Sequence, residues 1–156
     1  MASDFPRPQI RTLQSSDLGN LLALYGHLHR QDDPLPGEAI IQATWQAILD
    51  NPHHSIFGGY VGDALVSSCA LTIVPNLTRA CMPYGIIENV VTHSDYRNRG
   101  CGKAILAHAL SHAWKADCYK VMLLTGKKDE STLEFYMAAG FDGNKKRGFV
   151  ATSPAL

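Results

Sequence analysis

The sequence predicts an α+β fold, a mixed sheet with helices on its faces. Three observations carry this. Strand-like and helix-like periodicities alternate through the second half of the chain. The two-residue hairpin signal Gly62-Asp63 joins two β-rich runs in the middle. A glycine-containing turn at residues 97–103 follows a strand candidate and opens an amphipathic helix.

The elements follow in order. Gln9 to Leu13 is a short strand candidate. Ser16 or Asp17 can cap a helix with apolar positions Leu18, Leu21, Leu22, Tyr25 and Leu28. The run Asp32-Asp33-Pro34-Leu35-Pro36-Gly37 breaks it. A second helix carries Ile40, Ile41, Trp45, Ile48 and Leu49 at helical spacing and ends near Asn51-Pro52. Ser55–Val61 and Ala64–Val74 form the hairpin, and Pro75-Asn76 ends its second arm. Ile86 to Thr92 is the next β-rich run. The helix after the 97–103 turn places Ile105, Leu106, Ala109, Leu110, Ala113 and Trp114 on one face. Tyr119 to Leu124 reads as a short strand buried on both faces. Ser131-Thr132-Leu133-Glu134 fits a capping box, and Gly140 suits a helix end. Lys145 to Val150 offers a last strand.

A chain of 156 residues is expected to form one domain, 1–156. Apolar residues at 46% and charged residues at 18% argue against disorder. No run approaches the ~18 apolar residues of a membrane span, and the start lacks the pattern of a secretory signal. A cytoplasmic location without membrane contact is therefore expected. Fourteen basic residues balance fourteen acidic ones, so nucleic acid is not an expected partner. The charge is uneven, however. Residues 1–78 hold three Arg, no Lys and seven Asp or Glu, whereas residues 79–156 hold eleven Lys or Arg and seven Asp or Glu. The second half is therefore suited to an anionic ligand. The four cysteines show no Cys-x-x-Cys pair, so they read as thiols, and no metal site is expected. The doublet His53-His54 points its side chains apart and suits a loop or strand end.

Arg97-Asn98-Arg99-Gly100-Cys101-Gly102-Lys103 is the stretch that carries chemistry. Glycines let a backbone approach a ligand closely, and the unpaired N–H groups of a helix start attract anions. Arg97, Arg99 and Lys103 add positive charge at the same turn. Physically this is a cradle for phosphate or pyrophosphate; the other reading is a tight turn with solvated Arg side chains. It has neither Walker A spacing nor the third glycine of a dinucleotide fingerprint.

This string resembles the Arg/Gln-x-x-Gly-x-Gly/Ala signature of the GNAT superfamily of N-acetyltransferases, with Arg97, Gly100 and Gly102 in the signature positions. Ile87 to Thr92 stands where that family has its fourth strand. Phe135-Tyr136-Met137-Ala138-Ala139-Gly140-Phe141 resembles the family's Phe-Tyr-x-x-x-Gly-Phe ending. Cys118 to Val121 is similar to the matching strand of glucosamine-6-phosphate N-acetyltransferases.

The resemblance implies a central mixed sheet with helices on both faces and a splayed strand pair forming the cleft for acetyl-CoA. It implies that Arg97, Asn98, Arg99, Gly100, Cys101, Gly102 and Lys103 wrap the pyrophosphate, and that Val90, Val91 and Thr92 bond the pantetheine arm as an added strand would. Tyr136 matches the tyrosine that protonates the leaving thiolate. Glu88, the one carboxylate in an apolar strand, is the candidate base, and burial there would raise its proton affinity. Two departures stand out. Asp129 occupies a position where many members have an Asn that helps hold CoA, and Thr92 replaces a common Val. Cys101 reads as a small packed residue. The expected activity is acetyl transfer to a primary amine of a small molecule. A protein amino group as acceptor and a non-catalytic CoA-binding module are the alternatives. A homodimer is compatible with this fold type.

Overall fold

The structure is a computed structural model that describes residues 5–29 and 31–155. The chain forms two compact units, residues 1–123 and 124–156.

The first unit is built on one five-stranded sheet in the order β1-β2-β3-β4-β5. Its strands are β1 (Gln9–Thr12), β2 (His54–Val61), β3 (Ala64–Val74), β4 (Tyr84–Thr92) and β5 (Val121–Leu123). The first four pair antiparallel in sequence order, and β5 joins β4 in parallel. The hairpin closes with Val61 opposite Ala64, and Gly62 in the turn has φ +58. Helices α1 (Leu18–Tyr25), α2 (Glu38–Asp50) and α3 (Cys101–Lys115) complete the unit. Helix α1 stops short of Leu28, because two i→i+3 bonds, His27 N–H to Leu24 and Leu28 N–H to Tyr25, tighten its end. No helix among the described residues is long and apolar enough to cross a membrane.

Neighbouring strand residues point to opposite faces, so Ile56 and Phe57 lie in different cores. Ile56 joins Leu13, Leu21, Leu24, Trp45, Leu65, Ala70 and Val91 in the core beneath α1 and α2. A Cβ on Gly58 would come within 2.4 Å of Leu13 and 2.7 Å of Leu65, so any side chain there would displace both. Phe57 is fully buried on the other side, with its ring 4.9 Å from His108 and 5.2 Å from His112 of α3. Ile105, Leu106, Ala109 and Ala113 complete that face, all at 0% exposure.

Strand β5 is shorter than the sequence suggests and only half-buried, so the expectation of burial on both faces does not hold. Its parallel pairing with β4 covers only three residues. All four cysteines are free thiols. Three are buried, and burial pushes Cys69 up to about 12. No cluster of three or more metal-ligating side chains exists among the described residues. His54 opens β2, and its Nδ1 lies 2.7 Å from the Thr72 hydroxyl.

At the far edge, Arg11 grips the buried Asp17 carboxylate through both oxygens, at 2.7 and 2.8 Å. Tyr60 O–H and the Gln14 N–H also donate to it, both at 2.7 Å. The Arg11 bond, opposed by desolvation and aided by the other donors, holds Asp17 well below the usual carboxylate range. A group depressed in the folded state adds stability above its unfolded pKa and loses it as pH falls. Stability should therefore be level above pH ~5 and fall progressively toward pH ~2. Asp17→Asn should cost about 2 kcal/mol at pH 7 and flatten that acid limb. Urea titrations across this pH range would measure both effects.

In the second unit, helix α4 (Glu130–Ala138) is capped by Asp129 and not by the expected Ser131 box. The Asp129 carboxylate accepts from the Ser131 and Thr132 hydroxyls, both at 2.7 Å, and from Thr132 N–H at 3.0 Å. The helix ends as Gly140 predicts. Gly140 has φ +98, its N–H bonds Met137, and Phe141 N–H reaches back to Tyr136. The strand expected at Lys145–Val150 does not form. That segment pairs with no other strand, and Phe149 and Val150 are 87% and 78% exposed.

Candidate active site

Strand β4 departs from regular pleating midway. Ala70 pairs with Glu88 and Ser68 with Val91, which leaves Asn89 and Val90 together opposite Cys69. This is a β-bulge, with Asn89 in the left-handed region at φ +53. The extra residue breaks the alternation, so both Glu88 and Asn89 are exposed. The burial that the sequence led one to expect for Glu88 is absent. The Tyr25 phenol lies against Asn89. Desolvation pushes its pKa up, and the hydrogen bond with the Asn89 side chain opposes the shift.

Pairing with β5 ends at Ile87–Leu123, so residues 88–92 of β4 have no strand partner on that side among the described residues. Val90 and Thr92 are half-buried there, and Val91 points into the core at 3% exposure. This unpaired edge stands at the place where the resemblance implies a splayed strand pair.

The chain then makes a 3-10 turn at Ser94–Tyr96 and enters the cradle. Asn98 (φ +58) and Gly100 (φ +82) both adopt left-handed conformations. Gly100 is the residue before α3, no side chain caps the helix, and a Cβ at Gly100 would meet nothing within 4 Å. The first-turn N–H groups of α3 thus receive no side-chain cap, which suits an anion. Cys101 and Gly102 are buried beneath the turn, whereas Arg99 and Lys103 are exposed beside it. Burial pushes the Cys101 thiol up, which makes it a packing residue. The Arg99 guanidinium lies 5.0 Å over the Phe5 ring.

Arg97 behaves differently from the other cations. Its Nε donates to the Thr92 carbonyl at 3.2 Å, and its Nη2 donates to the His27 carbonyl at 3.0 Å. The sequence did not flag His27, His93 or Asn89. Asn within an apolar strand was the one available signal, since Asn tolerates positive φ better than most residues.

Tyr136 sits in α4 of the second unit. It is half-buried and makes edge contacts with Phe135 at 5.0 Å and Phe141 at 6.3 Å. The N-cap bonds hold Asp129 down to about 2, led by the Ser131 hydroxyl. The carboxylate at this position thus serves the helix start.

Residues 20–141 match the acetyltransferase (GNAT) family, and the chain belongs to it. It is 31% identical over 139 residues to glucosamine 6-phosphate N-acetyltransferase of Trypanosoma brucei brucei, covering 89% of this chain and 92% of that protein. Among solved structures, a putative acetyltransferase from Agrobacterium tumefaciens superposes with a TM-score of 0.87 at 41% identity, covering 93% and 99% of the two chains. Glucosamine-6-phosphate N-acetyltransferase from Arabidopsis thaliana, at 23% identity, a TM-score of 0.81 and coverage of 93% and 97%, shares the fold. The chain is thus an acyltransferase of this family.

Proposed function

We propose that the protein transfers the acetyl group of acetyl-CoA to a primary amine on a small molecule, with residues 1–156 acting as one N-acetyltransferase domain. The observation that carries the cofactor assignment is the uncapped start of α3 directly after the unpaired edge of β4. The N–H groups of residues 100–103 would hold the pyrophosphate, with Asn98, Arg99 and Lys103 beside it. Val90, Val91 and Thr92 would receive the pantetheine arm along the free edge.

Glu88 is placed by the bulge at the exposed side of β4, where it would take a proton from the incoming amine. The amine nitrogen forms a bond to the acetyl carbon and the carbon–sulfur bond breaks. Tyr136 O–H would deliver a proton to the departing sulfur. The proton taken up by Glu88 leaves to solvent, and the second proton lost from the acetylated nitrogen restores the phenol. The products are an N-acetyl amide and the CoA thiol. Glucosamine 6-phosphate is the first acceptor to test, because the curated relative is named for it.

The experiment is a thermal shift with acetyl-CoA, with ATP and NADH as controls, followed by a thiol-release screen of amines. Ligand at a hundredfold excess over Kd should stabilise the fold by about 2.7 kcal/mol, and Gly100→Val should abolish the shift. A shift with ATP or NADH alone, or none at all, would return residues 97–103 to another ligand or to a plain turn.

A further inference from the structure

Arg97 lies in the cradle sequence, yet its side chain is directed at backbone carbonyls. One arm of the fork holds Thr92, the last residue of β4, and another holds His27, seventy positions away in sequence. Three more contacts reinforce the junction. Ser94 N–H points to His27 Nδ1 at 3.4 Å, the His27 and His93 rings lie 4.0 Å apart, and Asp95 N–H donates to His93 Nδ1 at 3.2 Å. The turn that leads into the cradle is therefore clasped to the chain leaving α1. The torsions that follow are unusual, with Asn98 and Gly100 both left-handed. Such a turn holds its shape only if its start is anchored.

We propose that Arg97 is a positioning residue. It shapes the anion cradle by tying residues 92–97 to His27, and it is not itself a phosphate ligand. A planar guanidinium can bridge two carbonyls in fixed directions, whereas a lysine ammonium is a flexible point charge. The same clasp fixes the start of the segment between α1 and α2, residues 26–37, so cradle and segment are set together. The inference rests on the acetyl-CoA reading, but the clasp itself can be tested without ligand.

Hydrogen exchange of the unliganded protein comes first. Arg97→Gln should speed exchange in peptides covering 26–29 and 92–97, with the α3 core unchanged. Unaltered exchange there would overturn the clasp. CoA affinity by titration calorimetry comes second. Arg97→Lys should weaken binding about as much as Arg97→Gln, roughly tenfold, because charge alone does not replace a fork. His27→Ala, which removes the ring and keeps the carbonyl that Arg97 holds, should weaken it about threefold. The double variant should lose clearly less than the product of the two effects, since both side chains act on one junction. Wild-type affinity in Arg97→Lys, or independent effects of the two residues, would make Arg97 a direct phosphate contact and overturn the proposal. A wild-type protein that binds no CoA would sink the cofactor reading alone, with the exchange data still deciding the clasp.

Discussion

Tyr136→Phe is expected to lower kcat for acetyl transfer by about a hundredfold or more, the typical weight of a general acid, while CoA affinity stays within about twofold. The substitution removes one oxygen. It keeps the ring and its edge contacts with Phe135 and Phe141, and it leaves the backbone carbonyl that receives Phe141 N–H untouched. The backbone bonds that end the helix should therefore survive. Because the lost interaction belongs to the departure of the thiolate, the change should appear in kcat rather than in acceptor KM. Steady-state kinetics by thiol release, with CoA titration in parallel, would read both. An unchanged kcat would remove Tyr136 from the chemistry and leave it as a packing aromatic of α4.

Phe57→Ala should destabilise the protein by about 3–5 kcal/mol, the range for a fully buried aromatic truncated in a core. Phe57 has no exposed surface and lies under His108 and His112, so it is the seat on which α3 rests. Total stability of a domain is about 5–15 kcal/mol, so the loss should show as a large fall in the urea midpoint. The consequence extends to the cradle, because the turn at Gly100 leads directly into α3. Saturating acetyl-CoA should recover part of the loss, about 2.7 kcal/mol at a hundredfold excess over Kd. Phe57→Leu, which keeps most of the volume, should cost far less. A loss below about 1 kcal/mol in Phe57→Ala would show that α3 is held elsewhere.

Much of the fold is legible in the sequence because its signals are local. Apolar spacing gives α1, α2 and α3, and Gly62-Asp63 gives the hairpin. Gly140 gives the end of α4, since a left-handed residue is needed there and glycine adopts it without strain. The cradle is legible for the same reason, as Gly100 must take φ +82 to start α3. Less legible are features that depend on distant partners. Glu88 looks like a buried strand carboxylate until the bulge at Asn89 turns it outward. Lys145 to Val150 has strand-like composition but no strand to pair with. Asp129 looks like a weakened cofactor contact, and it is the N-cap of α4.

By itself the sequence determined the order of elements as far as α4, the glycine turn that opens α3 and the acetyltransferase family, because backbone preference, periodicity and a contiguous motif reside in neighbouring residues. Tertiary structure alone decided which side chains face solvent along β4, where its pairing stops, and that the Arg97 guanidinium reaches His27. Those outcomes depend on strand register and on contacts between residues far apart in the chain, which no local pattern encodes.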